Sequence, residues 1–511
     1  MGAVRSRGGA AARRRQAEHI DMSQIRPTPL QRRIGTYDLV DEATLAEFER
    51  QVDQLLETVG IEIRGDDVAI ELFRQAGAKV DGARLRFEPG LVRQLCATAP
   101  SQFTQVARNR DRSVTIGGDQ VVFSPAYGSP FVRDRAGGRR YGTMEDFKNF
   151  VKLAWQSRYL HHSGGTICEP VDIPVNKRHL DMVHAHITHS DKPFMGSVTT
   201  AERAADSIEM CRILFGKQFV DENCVILANI NVNSPLVYDG EVTRVIRTYA
   251  AANQAVIALP FILGGAMGPV TMPGAIVQGL AEALVGVALT QLVRPGAPAI
   301  MGIFLSSMSL RSGAPTFGMP EPSLSYFVIG QMARRWKLPL RLGGSLTASK
   351  INDAQAAQES ADSLFATILS GANFVLHAAG WMEGALVMDY EKFLIDEDHV
   401  GMMARMAAGL DLDSNGFAQD ALEAVIPGGH FLDSAHTFAN YKTAFFEPEL
   451  SDAKSFEQWR DDGEVDIYER ASRLLQKRLA REEMPPLDPA INREIKAFVE
   501  QRKAGMPDAW Y

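Results

Sequence analysis

Apolar residues recur at helical spacing after residue 40, where Leu45, Phe48 and Val52 fall on one face of a predicted helix over residues 41–60. Two shorter helices are predicted over residues 66–75 and 89–97. The pattern then changes to short β-branched and aromatic runs separated by glycines and charged turns, which predicts a small antiparallel sheet at 103–107, 114–116 and 121–123. We therefore expect residues 41–140 to form a cap of helices and a small sheet.

From residue 141 the chain alternates between helical stretches and short apolar strands, mostly 30 to 40 residues apart, which is the size of a βαβ unit. The predicted strands cover residues 162–167, 193–198, 225–232, 255–263, 299–305, 338–342 and 373–377. A weaker strand at 385–388 would complete eight, so the fold class is α/β, a (β/α)8 TIM barrel over residues 141–390. An open doubly wound sheet is the alternative, but no GxGxxG motif follows any strand. Residues 391–511 are expected to form a helical extension packed on the barrel.

No charged residue occurs between residues 248 and 281, as in a membrane span. Pro260, Pro269 and Pro273 would break a spanning helix, so we predict a buried strand, a loop and a buried helix instead. Residues 1–40 are rich in arginine and lack the apolar core of a signal peptide, which predicts a disordered, solvated tail.

Composition narrows the class of protein further. The 511 residues carry a net charge of −8, which argues against a nucleic-acid partner, and we expect no membrane partner either. Four scattered cysteines form no CxxC pair, so a reducing cytoplasm fits best. We expect a homo-oligomer.

In a (β/α)8 barrel the active site lies at the carboxyl ends of the strands, so polar and aromatic residues after each predicted strand are the candidates. Rings and carboxylates together suit a cation, because ring faces attract positive charge. Any one of these rings alone fits ordinary core packing, and only their convergence indicates a binding site. The candidates for substrate binding by position are Tyr127, Asn231, Phe304, Phe317, Glu321, His377 and Trp381.

Neither a nucleophile nor a metal centre is predicted. The main histidine cluster, His179 to His189, lies on a predicted helix with its members on different faces, which predicts half-buried or solvated histidines and no directly bound metal. Cys168 has no sequence partner that would activate a thiolate, so a small buried residue is the better interpretation. No residue is assigned a catalytic role.

Three stretches of the chain resemble the trimethylamine methyltransferase family. Residues 310–321 read LRSGAPTFGMPE, similar to the SGxPxxGxPE loop of that family. Residues 343–350 read GGSLTASK and are followed by Asp353 and Glu359, and residues 427–432 read PGGHFL. The likeness extends over nearly the whole chain from about residue 40, and the PGGHFL segment is its most specific part.

The resemblance implies an enzyme that passes a methyl group from a small methylated amine to cob(I)alamin carried by a separate corrinoid protein. Cobalt is then the nucleophile of an in-line displacement, which needs no acid/base pair of the protein. Members acting on trimethylamine contain pyrrolysine, whereas this sequence has only standard residues. A quaternary amine already has a positively charged leaving group, so we expect one such as glycine betaine.

On this interpretation Arg311 is a candidate for the betaine carboxylate, because a guanidinium pairs with it in bidentate geometry. Pairing of Arg311 with Glu321 is the alternative. His377 would contact the substrate or shape the pocket, and a hydrogen-bonded core histidine is its alternative. Two other functions remain open: a barrel enzyme acting on a small acid without corrinoid, and a betaine-binding protein without activity.

Overall fold

The computed structural model describes residues 27–510, and its centre is a barrel of seven parallel strands closed by one extended, irregular segment. We number the barrel strands β1 to β8 in chain order. They are Gln120–Phe123, the irregular segment 160–165, Phe194–Met195, Ile226–Val232, Ala255–Leu263, Ala299–Gly302, Leu340–Gly343 and Phe374–Leu376. The helices α1 to α8 that follow them are Met144–Gln156, Arg178–His189, Ala201–Phe215, Gly240–Ala251, Met272–Val293, Pro320–Trp336, Ala354–Ser370 and Tyr390–Ala407.

Segment β2 closes the barrel between β1 and β3. The backbone N–H groups of His161 and His162 donate to the carbonyl of Phe123 at 3.0 and 3.1 Å. On the other side, the N–H of Ser163 donates to the carbonyl of Pro193 at 2.8 Å, and that of Met195 donates to the carbonyl of Gly164 at 2.9 Å. The predicted (β/α)8 barrel is therefore confirmed.

The predicted positions of two strands are wrong. Gln120–Phe123, assigned to the small antiparallel sheet, is β1 and pairs in parallel with β8. Val387–Asp389, in the region assigned to the eighth strand, pairs instead with Phe131–Asp134 in an accessory sheet outside the barrel. A short apolar run reads alike in a hairpin and in a buried parallel strand, so periodicity could not separate the two.

Helix α5 is apolar on all sides because it is covered on all sides. It packs on β5 within the barrel, and the helices Glu42–Thr58 and Leu91–Cys96 lie over its outer face. Within residues 27–510 it is the one helix long and apolar enough to cross a membrane, and 83% of its most apolar window is buried in the fold. The predicted buried strand, loop and helix across the uncharged stretch are confirmed.

The amino-terminal layer holds small sheets around these covering helices. One sheet has the order Val237–Tyr238, Ile61–Ile63, Arg84–Arg86, Lys79–Asp81, with helix Asp67–Gln75 beside it, and a second pairs Gln102–Gln105 with Val114–Gly117. Residues 27–40, expected to belong to the tail, lie against the body, because Leu30–Gln31 pairs with β1 and buried Arg32 forms an ion pair with Asp119. Residues 1–26 of the predicted tail fall outside the described residues.

The remaining elements surround the barrel. The accessory sheet contains Phe131–Asp134, Gly138–Tyr141, Trp381–Met382 and Val387–Asp389, while Phe304–Met308 extends β6 and pairs with Pro315–Thr316. Helix Lys217–Glu222 follows α3, and the 3₁₀ turns are Arg110–Arg112 and Glu383–Ala385. Beyond α8 come the helices Ser414–Phe417, Gln419–Ala424, Ala435–Asn440, Phe456–Asp461, Ile467–Leu479 and Pro489–Ala504.

Candidate functional site

A cavity of about 570 Å³ opens at the carboxyl ends of the barrel strands. Its walls come from residues on or just after β2, β3, β4, β5, β6, β7 and β8, so the closed barrel brings together positions more than 200 residues apart. The size suits a small organic molecule. This is the face on which barrel enzymes carry their active sites.

Four aromatic rings form a cluster on one side of the cavity. The ring centroids of Phe304 and Phe317 lie 5.4 Å apart in a stacked arrangement, and Trp381 meets both edge-on at 5.7 and 5.2 Å. Phe261 extends the cluster, 5.5 Å from Phe304. The indole N–H of Trp381 donates to the carbonyl of Thr347 at 3.1 Å, which fixes the ring in place. Fixed ring faces of this kind attract a cationic group.

Arg341 lies deeper in the same cavity. Arg341 is fully buried, and its guanidinium carbon lies 5.1 Å from the centroid of the Phe304 ring. Nε and Nη1 have no hydrogen-bond partner, and no carboxylate of the described residues lies within 4.0 Å of the guanidinium. Burial lowers the pKa of Arg341 to about 9. A buried, unpaired guanidinium is unfavourable on its own and favours an anion beside it.

His377 connects Arg341 to the rest of the cavity wall. Its Nε2 lies 2.8 Å from Nη2 of Arg341, and its Nδ1 faces the backbone N–H of Tyr127 at 3.2 Å. A neutral imidazole accepts at only one nitrogen, so one of these two donors lacks a proper acceptor. Burial and the neighbouring Arg341 lower the pKa of His377 well below its usual value, which keeps the ring uncharged. His377 therefore cannot neutralise Arg341.

Another part of the cavity lining is polar. Asn229 and Asn231 alternate on β4, and the side-chain carbonyl of buried Asn229 accepts no hydrogen bond. Glu169 pairs with Arg178, while burial raises the pKa of this carboxyl and the Arg178 charge opposes the rise. Hydrogen-bond acceptors and the aromatic cluster thus line the same cavity.

The strand register gives the cavity a direction. Arg341 pairs with Gly302, which lies two residues before Phe304, and with Phe374, which lies three residues before His377. At about 3.3 Å per strand residue, the backbone of Arg341 lies roughly 7 Å deeper than that of Phe304, and its side chain extends back until the guanidinium carbon is 5.1 Å from the Phe304 ring. An elongated ligand with a negative end and a positive end would place the negative end inward and the positive end toward the opening.

Six of the predicted site residues line the cavity and two do not. The six are Tyr127, Asn231, Phe304, Phe317, His377 and Trp381. Arg311 is exposed on the turn after Ser309, and Glu321 is exposed in the first turn of α6. The loop forms a turn closed by a hydrogen bond from the N–H of Gly313 to the carbonyl of Ser309 at 2.8 Å, and residues 310–313 are exposed and do not line the cavity.

Sequence reasoning missed Arg341 and Asn229, which lie inside the predicted strands 338–342 and 225–232, because the candidates came from the carboxyl ends of strands and the residues after them. The signal was present in the pattern Leu340-Arg341-Leu342. A charged residue inside an apolar strand of a buried parallel sheet has to face the barrel interior or a ligand.

Two of the four histidines of α2 are more buried than predicted, while His184 and His189 are half-buried, as predicted. His179 and His186 line the cavity and are buried, with His179 3.0 Å from the carboxylate of Asp206 and His186 2.8 Å from the hydroxyl of Ser163. Within residues 27–510 no group of three or more His, Cys, Asp and Glu side chains could hold a metal ion. Cys168 is fully buried, as predicted, and burial raises the pKa of its thiol well above the usual value.

The fold and the cavity are those of a barrel enzyme that binds a small ligand at the carboxyl ends of its strands. A family model described as trimethylamine methyltransferase (MTTB) matches residues 5–507. The chain belongs to this family and is a methyltransferase. The resemblance to the trimethylamine methyltransferase family that the sequence motifs indicated is thereby confirmed.

Two curated relatives and one solved structure illustrate the likeness. The chain is 40% identical over 467 residues to the glycine betaine methyltransferase of Desulfitobacterium hafniense (strain Y51), covering 91% of this chain and 97% of the relative. It is 27% identical to the proline betaine:corrinoid methyltransferase of Eubacterium limosum, covering 85% and 91%. The monomethylamine methyltransferase structure from Methanosarcina barkeri shares the fold, with a TM-score of 0.50, 11% identity and 92% of each chain covered.

Proposed function

We propose that this enzyme transfers a methyl group from a carboxylated quaternary amine, such as glycine betaine, to a cobalamin-bearing corrinoid protein. The observation that supports the substrate class is the buried Arg341, unpaired beneath a cluster of aromatic rings. Relatives named for glycine betaine and proline betaine support it independently, since both compounds join a quaternary ammonium to a carboxylate.

In this proposal the carboxylate binds Arg341. It accepts along one edge of the guanidinium, so that either Nε or Nη1 gains a partner, and its negative charge balances the buried cation. The methylated ammonium then lies among Phe304, Phe317 and Trp381, where ring faces replace the water around the cation. A zwitterion satisfies both ends of the cavity, whereas a simple amine would leave Arg341 without a partner.

In this reaction the protein has mainly to orient the substrate. When bound, the corrinoid supplies a Co(I) nucleophile that attacks a methyl carbon in line with the C–N bond. The bond breaks with its electron pair on nitrogen, so a neutral tertiary amine leaves and no proton has to be donated. Arg341 and the rings hold the substrate in one orientation, and the enclosed cavity excludes water from the reacting methyl group.

A corrin ring is too large for a cavity of about 570 Å³, so the corrinoid belongs at the cavity opening, on its carrier protein. The loops around this end fit a protein partner because five of them expose an apolar side chain, 43 to 76% accessible. Exposed apolar residues grouped on one face are typical of interaction surfaces. We call this set the rim; it consists of Val171, Val270, Leu310, Ile351 and Leu386.

The four cysteines bear on the compartment in which the protein works. All four are buried and free. Free thiols throughout the chain support a reducing compartment, and we propose the cytoplasm.

The test is turnover with reduced cobalamin. Purified enzyme is mixed with glycine betaine and cob(I)alamin under anaerobic conditions, and we expect the Co(I) absorption to decay while dimethylglycine forms in equal amount. Omission of enzyme and replacement of glycine betaine by glycine serve as controls. Binding of glycine betaine without any transfer would identify a betaine-binding protein, and the absence of both binding and transfer would refute the proposed substrate class.

A further inference from the structure

The segment after α8 leaves the body of the protein with its apolar side chains outward. We call residues 410–445 the arm. It contains three short helices and exposes ten large apolar residues, several more than three-quarters accessible. They are Leu410, Leu412, Phe417, Leu422, Ile426, Phe431, Leu432, Phe438, Tyr441 and Phe445. The PGGHFL segment singled out by the sequence, residues 427–432, lies within the arm.

The polar groups of the arm are paired among themselves. The side-chain amides of Asn415 and Asn440 exchange hydrogen bonds of 3.0 and 3.1 Å, and Nε2 of His436 lies 2.8 Å from the carbonyl of Asn415. Within the described residues, the hydrogen bonds of residues 412–445 all stay inside the arm. The arm thus has a hydrogen-bonded structure of its own, and both its polar and its large apolar side chains are exposed.

Helices of four to six residues are not stable alone in water, so such a segment needs a surface to pack on. Residues 27–510 do not provide one, since Phe417, Leu432, Phe438 and Phe445 all remain exposed. Burial of these apolar residues requires a surface beyond this part of the chain.

The arm is rooted on the face of the barrel opposite the cavity. Helix α8 runs back from the carboxyl end of β8, and at its end the carbonyl of Ala407 accepts a hydrogen bond from Arg33 at 2.8 Å. The arm returns at Phe446, whose ring lies 5.9 Å from that of Tyr159, just before β2 begins. A corrinoid protein must reach the rim around the cavity, so it does not account for an apolar surface rooted at the other end. This exclusion rests on the proposed function.

We propose that the arm docks on a second copy of this chain. At 150 Å² or more for a large apolar side chain, ten such residues, on average about two-thirds exposed, present on the order of 1,000 Å². A standard interface buries about 800 Å² per partner, so the arm alone is large enough for a stable dimer. The arm contains five acidic residues and a single Lys or Arg, Lys442, so its negative charge does not suit an anionic membrane surface.

The first experiment measures the mass of the full-length protein in solution by light scattering and sedimentation. The 56.1 kDa chain is expected to form a dimer or larger assembly, and the double variant Leu432→Asp/Phe445→Asp is expected to raise the dissociation constant at least 100-fold. Val68→Asp is the matched control, because Val68 is exposed on helix Asp67–Gln75, outside the arm and the rim. Circular dichroism establishes that each variant is folded.

A monomeric wild-type protein, or an assembly unchanged by the double variant, would overturn the proposal. A second readout does not depend on a disruptive change. Leu432→Cys and Val68→Cys each add a thiol to a chain whose own four cysteines are buried, and maleimide should label position 432 at least tenfold more slowly. Equal labelling rates, or protection at 432 only after a corrinoid protein is added, would refute docking on a second copy. Neither readout requires methyl transfer, so failure of the proposed function would leave this test intact.

Discussion

Replacing Arg341 by methionine separates binding of the substrate from stability of the fold. The side chain keeps much of its length and apolar stem but loses the charge and all donors. Truncating one partner of a buried, hydrogen-bonded charge pair costs about 2–5 kcal/mol. The affinity for glycine betaine should therefore fall by roughly 30-fold to several thousandfold, since 1.4 kcal/mol corresponds to tenfold.

The same substitution should stabilise the empty protein. Burial lowers the pKa of Arg341 from 12.5 to about 9, so keeping this group charged below pH 9 costs the folded state on the order of 4–5 kcal/mol. A methionine avoids this cost while losing the Phe304 contact, and a gain of about 1–3 kcal/mol is expected. A lower affinity together with a higher melting temperature would show that the Arg341 charge destabilises the empty protein and serves to bind the ligand.

Titration calorimetry and thermal melts measure both effects. Tetramethylammonium is the control ligand, because it has the cation without the carboxylate, and its affinity should change far less in Arg341→Met. Glycine betaine binding within about threefold of wild type, or a lower melting temperature with equal losses for both ligands, would refute the assignment of Arg341 to the carboxylate.

Three further predictions follow from the cavity. Glycine betaine affinity should be constant from pH 6 to 8 and fall by up to tenfold per pH unit above pH 9, because Arg341 of the free enzyme loses its proton there. Calorimetry at each pH measures the affinity and should also detect proton uptake on binding above pH 9. An affinity that stays constant up to pH 10.5 would contradict this prediction. Trp381→Leu should weaken both glycine betaine and tetramethylammonium by about 1–2 kcal/mol, or roughly 5- to 30-fold, since it removes a ring face rather than the anion site; an effect on glycine betaine alone would argue against the ring cluster as a cation site. Arg311→Ala should change glycine betaine affinity by no more than about twofold, because the side chain is exposed on its turn, and a loss as large as that of Arg341→Met would restore it as the carboxylate site.

The barrel itself was predictable because alternating helices and strands are a property of local sequence. Helix α5 and strand β5 were located by their apolar runs and by the prolines between them. The first strand was not, since Gln120–Phe123 becomes a barrel strand only through its pairing with β8, some 250 residues away. Pairing partners at such distances are not encoded in the pattern of one segment.

Prediction of the site depended on which side chains face inward. Position after a strand correctly brought Phe304, His377 and Trp381 to the cavity, because a barrel gathers the carboxyl ends of its strands. It also selected Arg311, which is exposed and does not line the cavity, and it omitted Arg341, which lies inside a strand. The prediction therefore named Arg311 as the candidate for the carboxylate, whereas the arginine that lines the cavity is Arg341, thirty residues further along the chain.

The most direct measurement of the central claim is a crystal structure of the enzyme with glycine betaine. The carboxylate oxygens should lie about 2.7–2.9 Å from the guanidinium nitrogens of Arg341. The ammonium should lie within about 6 Å of the ring centroids of Phe304, Phe317 and Trp381, with a methyl group toward the rim. A reversed molecule, or a carboxylate bound at Arg311 with Arg341 still unpaired, would contradict the proposed substrate site.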